Sequence, residues 1–141
     1  MIYKATSTFR VFSESKTLEE LEKVLECKSD SGFSIGEPVS KKNPESSLQQ
    51  SSLWTQKAEI SSGEIQDAAE LLDVALKTTL DKVEGLTTKL AALSDVRVDL
   101  YAGMFSDNEQ VNCFVSHTTM QRMATLELDF TFSGYTTRGE S

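Results

Sequence analysis

His117 is the only histidine of the chain, and Cys113 stands four residues before it. A thiol beside an imidazole is the arrangement of a nucleophile and its base. The neighbours argue otherwise. Val111, Phe114 and Val115 place the cysteine in an apolar segment, where a thiol serves as a small buried hydrophobe. One histidine also excludes His-cluster metal sites and two-His zinc motifs. Gly32 and Gly36 have GxxxG spacing, but no Lys-Ser/Thr follows and no strand leads straight into them. That pattern is a turn and not a phosphate cradle. No catalytic, cofactor or metal residue is assigned.

The carboxylates are the more informative set. Asp95, Arg97 and Asp99 share one side of a predicted strand, and Glu127 and Asp129 share one side of another. Neighbouring strands would gather these acids near Tyr101, an arrangement open to a hard cation or to acid–base work. The plainer reading is a solvated face with cross-strand charge pairing. A helical stripe adds Gln66, Glu70, Asp73, Lys77, Asp81 and Glu84, in which Lys77 stands four residues from both Asp73 and Asp81. A one-signed surface of this kind speeds encounter with a basic protein. The expected partner-binding residues are Glu70, Asp73, Asp81, Glu84, Asp95, Asp99, Glu127 and Asp129.

The elements that must position these residues follow from periodicity. Residues 2–12 read as a strand with Ala5, Ser7, Phe9 and Val11 on one side and Thr6, Thr8 and Arg10 on the other. Thr17 and Glu20 have capping-box spacing ahead of a helix with Leu18, Leu21, Val24 and Leu25 as its apolar stripe. Residues 28–51 are irregular, with Gly32, Gly36 and Pro38 as breakers. There Phe33, Ile35 and Val39 tuck against the core, and Lys41 to Pro44 form a mobile tip. A second strand, 53–60, carries Trp54, Ala58 and Ile60 inward, with Gln56 breaking the pattern. Trp54 is expected to anchor the core, its indole N–H bonded to a backbone carbonyl.

A long helix follows through Ile65, Ala68, Leu72, Ala75, Leu76, Leu80 and Val83, continued by Leu86, Leu90 and Leu93. Gly85 predicts a break within it. Residues 95–105 give the clearest strand, with Val96, Val98, Leu100, Ala102 and Met104 inward. Residues 111–116 are expected to return as its hairpin partner. Thr118 and Gln121 repeat the capping-box spacing before a short helix, and 126–132 form the last strand with Leu126, Leu128, Phe130 and Phe132 inward. The tail, 136–141, is expected to fray.

Length and composition bound the answer. A chain of 141 residues, 38% hydrophobic and 26% charged, fits one soluble domain, 1–141, with its own core. Net charge is −8, with 8 basic and 9 acidic residues in 1–60 against 6 and 13 in 61–141. Such a surface disfavours phosphate backbones and anionic membranes. Two cysteines make no disulfide scaffold. Met1-Ile2-Tyr3-Lys4 does not open a signal peptide, so a cytoplasmic protein with reduced thiols is expected.

The chain resembles an uncharacterised bacterial family, the domain of unknown function 4279, over roughly residues 5–135. The likeness rests on the opening strand and helix, the Gly/Pro loop and the Lys-rich stretch leading into Ser52-Leu53-Trp54. The helix 65–90 and the ending 119–132 complete it. The resemblance implies a small, stand-alone, intracellular domain with no established reaction, and it carries over no catalytic residue.

The expected fold is an α+β two-layer sandwich, a mainly antiparallel sheet of four or five strands with helices on one face. The expected function is non-enzymatic protein binding, most concretely by a bacterial immunity or antagonist protein that neutralises a basic toxin or effector. Two alternatives stand beside it. One is a small-molecule-binding or enzymatic domain whose pocket lies between the 28–51 loop and the sheet, lined by Phe33, Trp54 or Tyr101. The other is an accessory domain that self-associates through a sheet edge.

Overall fold

The computed structural model describes residues 2–64, 68–107 and 112–136. Strand β1 (Ile2–Ser13) lies in the middle of a five-stranded sheet, with β3 (Ser52–Ser61) and β4 (Val96–Ser106) antiparallel on its two sides. The two-residue β2 (Gly32–Phe33) extends the sheet beyond β3, and β5 (Asp129–Thr136) lies parallel to β4 at the far edge. Alternation along β1 sends Ala5, Ser7, Phe9 and Val11 under the helices, all buried. The sandwich is the α+β architecture that the periodicity predicts, with its last pairing parallel.

Helix α1 (Leu18–Leu25) opens with the capping box read from the sequence: Thr17 accepts from the Glu20 N–H, and Glu20 accepts from the Thr17 N–H. These bonds hold the Glu20 carboxyl below its ordinary range, the backbone bond to Thr17 contributing most. Leu21 and Leu25 are fully buried, whereas Val24 stays exposed. Trp54 is fully buried; its Nε1–H donates to the Cys27 carbonyl at 2.9 Å, and its ring meets Phe9 edge-on. Gln56 breaks the strand pattern at little cost, because its amide donates to the Lys28 carbonyl at 2.8 Å.

Helix α2 (Leu71–Val83) covers β1 and β3. The strands present the small side chains Ser7, Ala58 and Ala102 on that side, and the Thr79 hydroxyl of α2 reaches the Ser7 carbonyl at 3.1 Å. At Gly85 the α-helix gives way to a 3₁₀ turn, Glu84–Leu86, before α3 (Thr87–Ala91). The predicted break is real. Beyond it, Lys89 of α3 pairs with Glu26 at the end of α1 at 2.6 Å.

Several local expectations are corrected. Residues 112–116 are irregular and form no hairpin strand, and Val111 lies outside the described residues, as do Ile65 and Gln66. Helix α4 (His117–Thr125) is capped by Ser116, which accepts from the Thr119 N–H, two residues before the predicted Thr118 cap. The last strand begins at Asp129, since Leu126 and Glu127 complete a turn in which Glu127 has φ 55°. Thr136 belongs to that strand; the remaining tail lies outside the described residues. In the 28–51 segment, Val39 is exposed rather than tucked in, and a Pro38–Leu48 bridge ties the loop to itself. No described helix is long and apolar enough to cross a membrane.

Candidate functional site

The eight acids do not form one surface. Asp73 is 3% exposed, not solvated. Its carboxylate accepts from the Ser116 N–H at 2.9 Å and pairs with Lys77 at 3.0 Å. Burial pushes the Asp73 pKa up, but the Ser116 N–H, the Thr119 hydroxyl and Lys77 outweigh it and hold the carboxyl below its ordinary value. Asp81 and Glu84 both grip Arg122 of α4, at 2.6 and 2.7 Å. The bond to Glu84 and then that to Asp81 hold the guanidinium firmly charged.

Asp99 is a second correction: it is buried on the open face of the sheet, with both oxygens bonded to Arg10. An alternating strand face need not be a wet one when side chains cross between strands. Strands β4 and β5 are neighbours as supposed, and Asp129 pairs in register with Asp99. Yet Arg10 has already neutralised Asp99, and among the described residues no three His, Cys, Asp or Glu side chains gather closely enough to hold a cation. Glu127 shares no face with Asp129, because it lies in the turn before β5. Glu70, Asp95, Glu127 and Asp129 are exposed.

The open face carries aromatic and cationic groups among its acids. Arg10 lies over Phe12 and Tyr101, and Arg97 over Phe12, at 4.4 to 5.2 Å from the ring centres. Tyr101 bonds to Ser133 and Tyr135, and Tyr135 stacks on Phe105 at 4.7 Å. Hydrogen bonds with Ser133 and Tyr135 lower the Tyr101 pKa, and the bond to Tyr101 raises that of Tyr135. Tyr101 and Phe33 thus face away from Trp54, so no single pocket takes in all three.

A different cavity exists on the helix side. It has a volume of about 330 Å³ and an apolar lining that includes Phe9, Leu90, Val98, Leu126 and Leu128. Thr87, Thr125 and Glu127 supply its polar lining. A second depression along Glu84, Arg122 and Gln121 shares Thr87, Thr125 and Leu126 with it, so the two run together between α3 and α4. The 3₁₀ turn at Gly85 lies between Val83, the last residue of α2, and Thr87, the first of α3, both of which line this groove. Sequence reading missed it because its walls are 9 to 128 in the chain and each segment looked like ordinary core. Cys113 and His117 are both exposed, so the cysteine is not the buried hydrophobe that its neighbours suggested.

A family model matches residues 3–137, nearly the whole chain. The chain belongs to the family described as Domain of unknown function (DUF4279). No curated protein and no solved structure matches it. The family assigns no reaction and no site, so the residues themselves must carry any functional reading.

Proposed function

We propose that this domain binds a basic protein through the helix-side groove. Its most concrete form is a bacterial immunity or antagonist protein that neutralises a basic toxin or effector in the cytoplasm. The observation that supports the reading is an apolar groove with Glu127 on its lining, in a chain of net charge −8. Val96 and Val98 at the start of β4 form part of its floor, and exposed Asp95 directly precedes them. An apolar side chain of the partner would supply affinity by burial, and its Lys or Arg neighbours would be steered and oriented by the acids. Asp73, Asp81, Glu84 and Asp99 have internal partners and Asp129 aligns with Asp99 on the open face, which leaves this role to Glu127 and Asp95.

The test uses the product of a neighbouring toxin-like gene and calorimetry at low and high salt. Tight binding that weakens with salt, and that Glu127→Lys and Val98→Lys both abolish, supports the reading. Binding that ignores salt and both substitutions overturns it. The volume of the groove also suits a small apolar ligand. In that case an apolar fluorescent probe would bind, Val98→Lys would expel it, and Glu127→Lys would leave it in place.

A further inference from the structure

The two edges of the sheet are unlike. At one end β2 has only two residues, too short to template another strand. At the other, β5 offers eight residues in unbroken register with β4, and no described strand lies on its outer side. Edge strands expose a row of unpaired N–H and C=O groups and are ordinarily guarded by Lys, Pro, a bulge or brevity. The β5 sequence, Asp-Phe-Thr-Phe-Ser-Gly-Tyr-Thr, has none of these guards. Phe130 and Phe132 align with Leu100 and Ala102 and so project to the helix side. They remain 40% and 38% exposed, because α2 packs over β1 and β3 and leaves this edge uncovered.

We propose that β5 pairs antiparallel with β5 of a second copy, about a twofold axis at Phe132, doubling the sheet. This register sets Phe132 opposite its twin, Phe130 opposite Gly134, Thr131 opposite Ser133 and Asp129 opposite Tyr135. The four phenylalanines then cover one another on the helix side, and each Phe130 packs over a glycine that leaves room for it.

Charge selects the occupant. The chain is strongly acidic, yet β5 from Phe130 to Tyr135 carries no charge. This edge therefore gives a basic partner nothing to recognise and a second copy nothing to repel. The antiparallel register keeps the two Asp129 carboxylates about 20 Å apart, at roughly 3.3 Å per residue, which is beyond a Debye length. A parallel pairing would set them side by side.

Sedimentation velocity and light scattering over a concentration series test the proposal on the full chain. The mass is expected to rise from 15.6 kDa toward twice that value as concentration increases. Phe132→Lys, which opposes two like charges across the axis, should raise the dissociation constant about tenfold or more while far-UV dichroism stays unchanged. In a background of Cys27→Ser and Cys113→Ser, Phe132→Cys should join two copies when oxidised glutathione is added, and Asp129→Cys should not. The cysteine pair keeps the test open if the lysine variant does not fold. A monomer at every concentration, a dimer indifferent to Phe132→Lys, or equal cross-linking at 129 and 132 overturns the proposal.

Discussion

Arg10 and Asp99 stand opposite each other in the β1–β4 register and are joined by two hydrogen bonds of 2.8 Å, one to each carboxylate oxygen. This bidentate pair turns a predicted contact residue into a fixed part of the sheet. Charge-assisted bonds of this kind contribute more than neutral ones, and the buried Asp99 leaves a poorly solvated partner behind when removed. Asp99→Ala is expected to lower unfolding stability by about 2 kcal/mol. Arg10→Met combined with it should cost less than the sum of the two single changes. Urea denaturation of the four proteins measures the coupling.

Asp73 gives the domain an acid-sensitive joint. Its folded pKa lies below its ordinary 3.8, so the unfolded chain binds more protons in the acid range. The stabilisation is complete above that ordinary value and is lost as pH falls through the lower folded one. At neutral pH, Asp73→Asn should cost about 2 kcal/mol. The gap between variant and parent should close in strong acid, as followed by denaturant melts across pH.

Gly32 is the residue that lets β2 lie against β3. A Cβ there would run into the Leu53 carbonyl, a backbone atom that cannot step aside. Gly32→Ala should therefore lower stability by about 1–3 kcal/mol. Amide exchange at Phe33 should rise, whereas that of β1 should hold.

Ser7 presents the opposite case. Its hydroxyl is fully buried, and among the described residues it has no hydrogen-bond partner. Ser7→Ala removes an uncompensated polar group and should raise stability by about 1 kcal/mol. A thermal melt that shifts downward would contradict this.

Glu127 holds a left-handed backbone conformation that suits glycine. Glu127→Gly should leave stability level or higher by up to about 1 kcal/mol. The same change should weaken binding of a basic partner, separating the residue's structural effect from its contact role. Melting curves and calorimetry on one sample decide both.

What the sequence made legible was local. The Thr17–Glu20 cap, the alternation of β1 and β4 and the break at Gly85 each depend on residues a few positions apart, and the inward parity of Trp54 on those of its own strand. The countercharges were not legible, because Arg10 is 89 residues from Asp99, and Arg122 is 41 from Asp81 and 38 from Glu84. Asp73 has the spacing of a solvated helix stripe. Only the arrival of the α4 N-terminus buries it. The inward parity of Phe130 and Phe132 was correct, but parity cannot show that no helix reaches the sheet edge. The failed hairpin has a topological cause: β5 is parallel to β4, so the chain must cross back through 107–128 before it can pair.

The central place of β1 ties maturation to the whole length of the chain. Strands β3 and β4 both pair with β1, and its β4 side stays bare until Ser106 has been made. Phe9 and Val11 then wait in an open ribbon while the chain between β1 and β4 is made, which makes the nascent polypeptide a natural client for a chaperone that holds short apolar stretches.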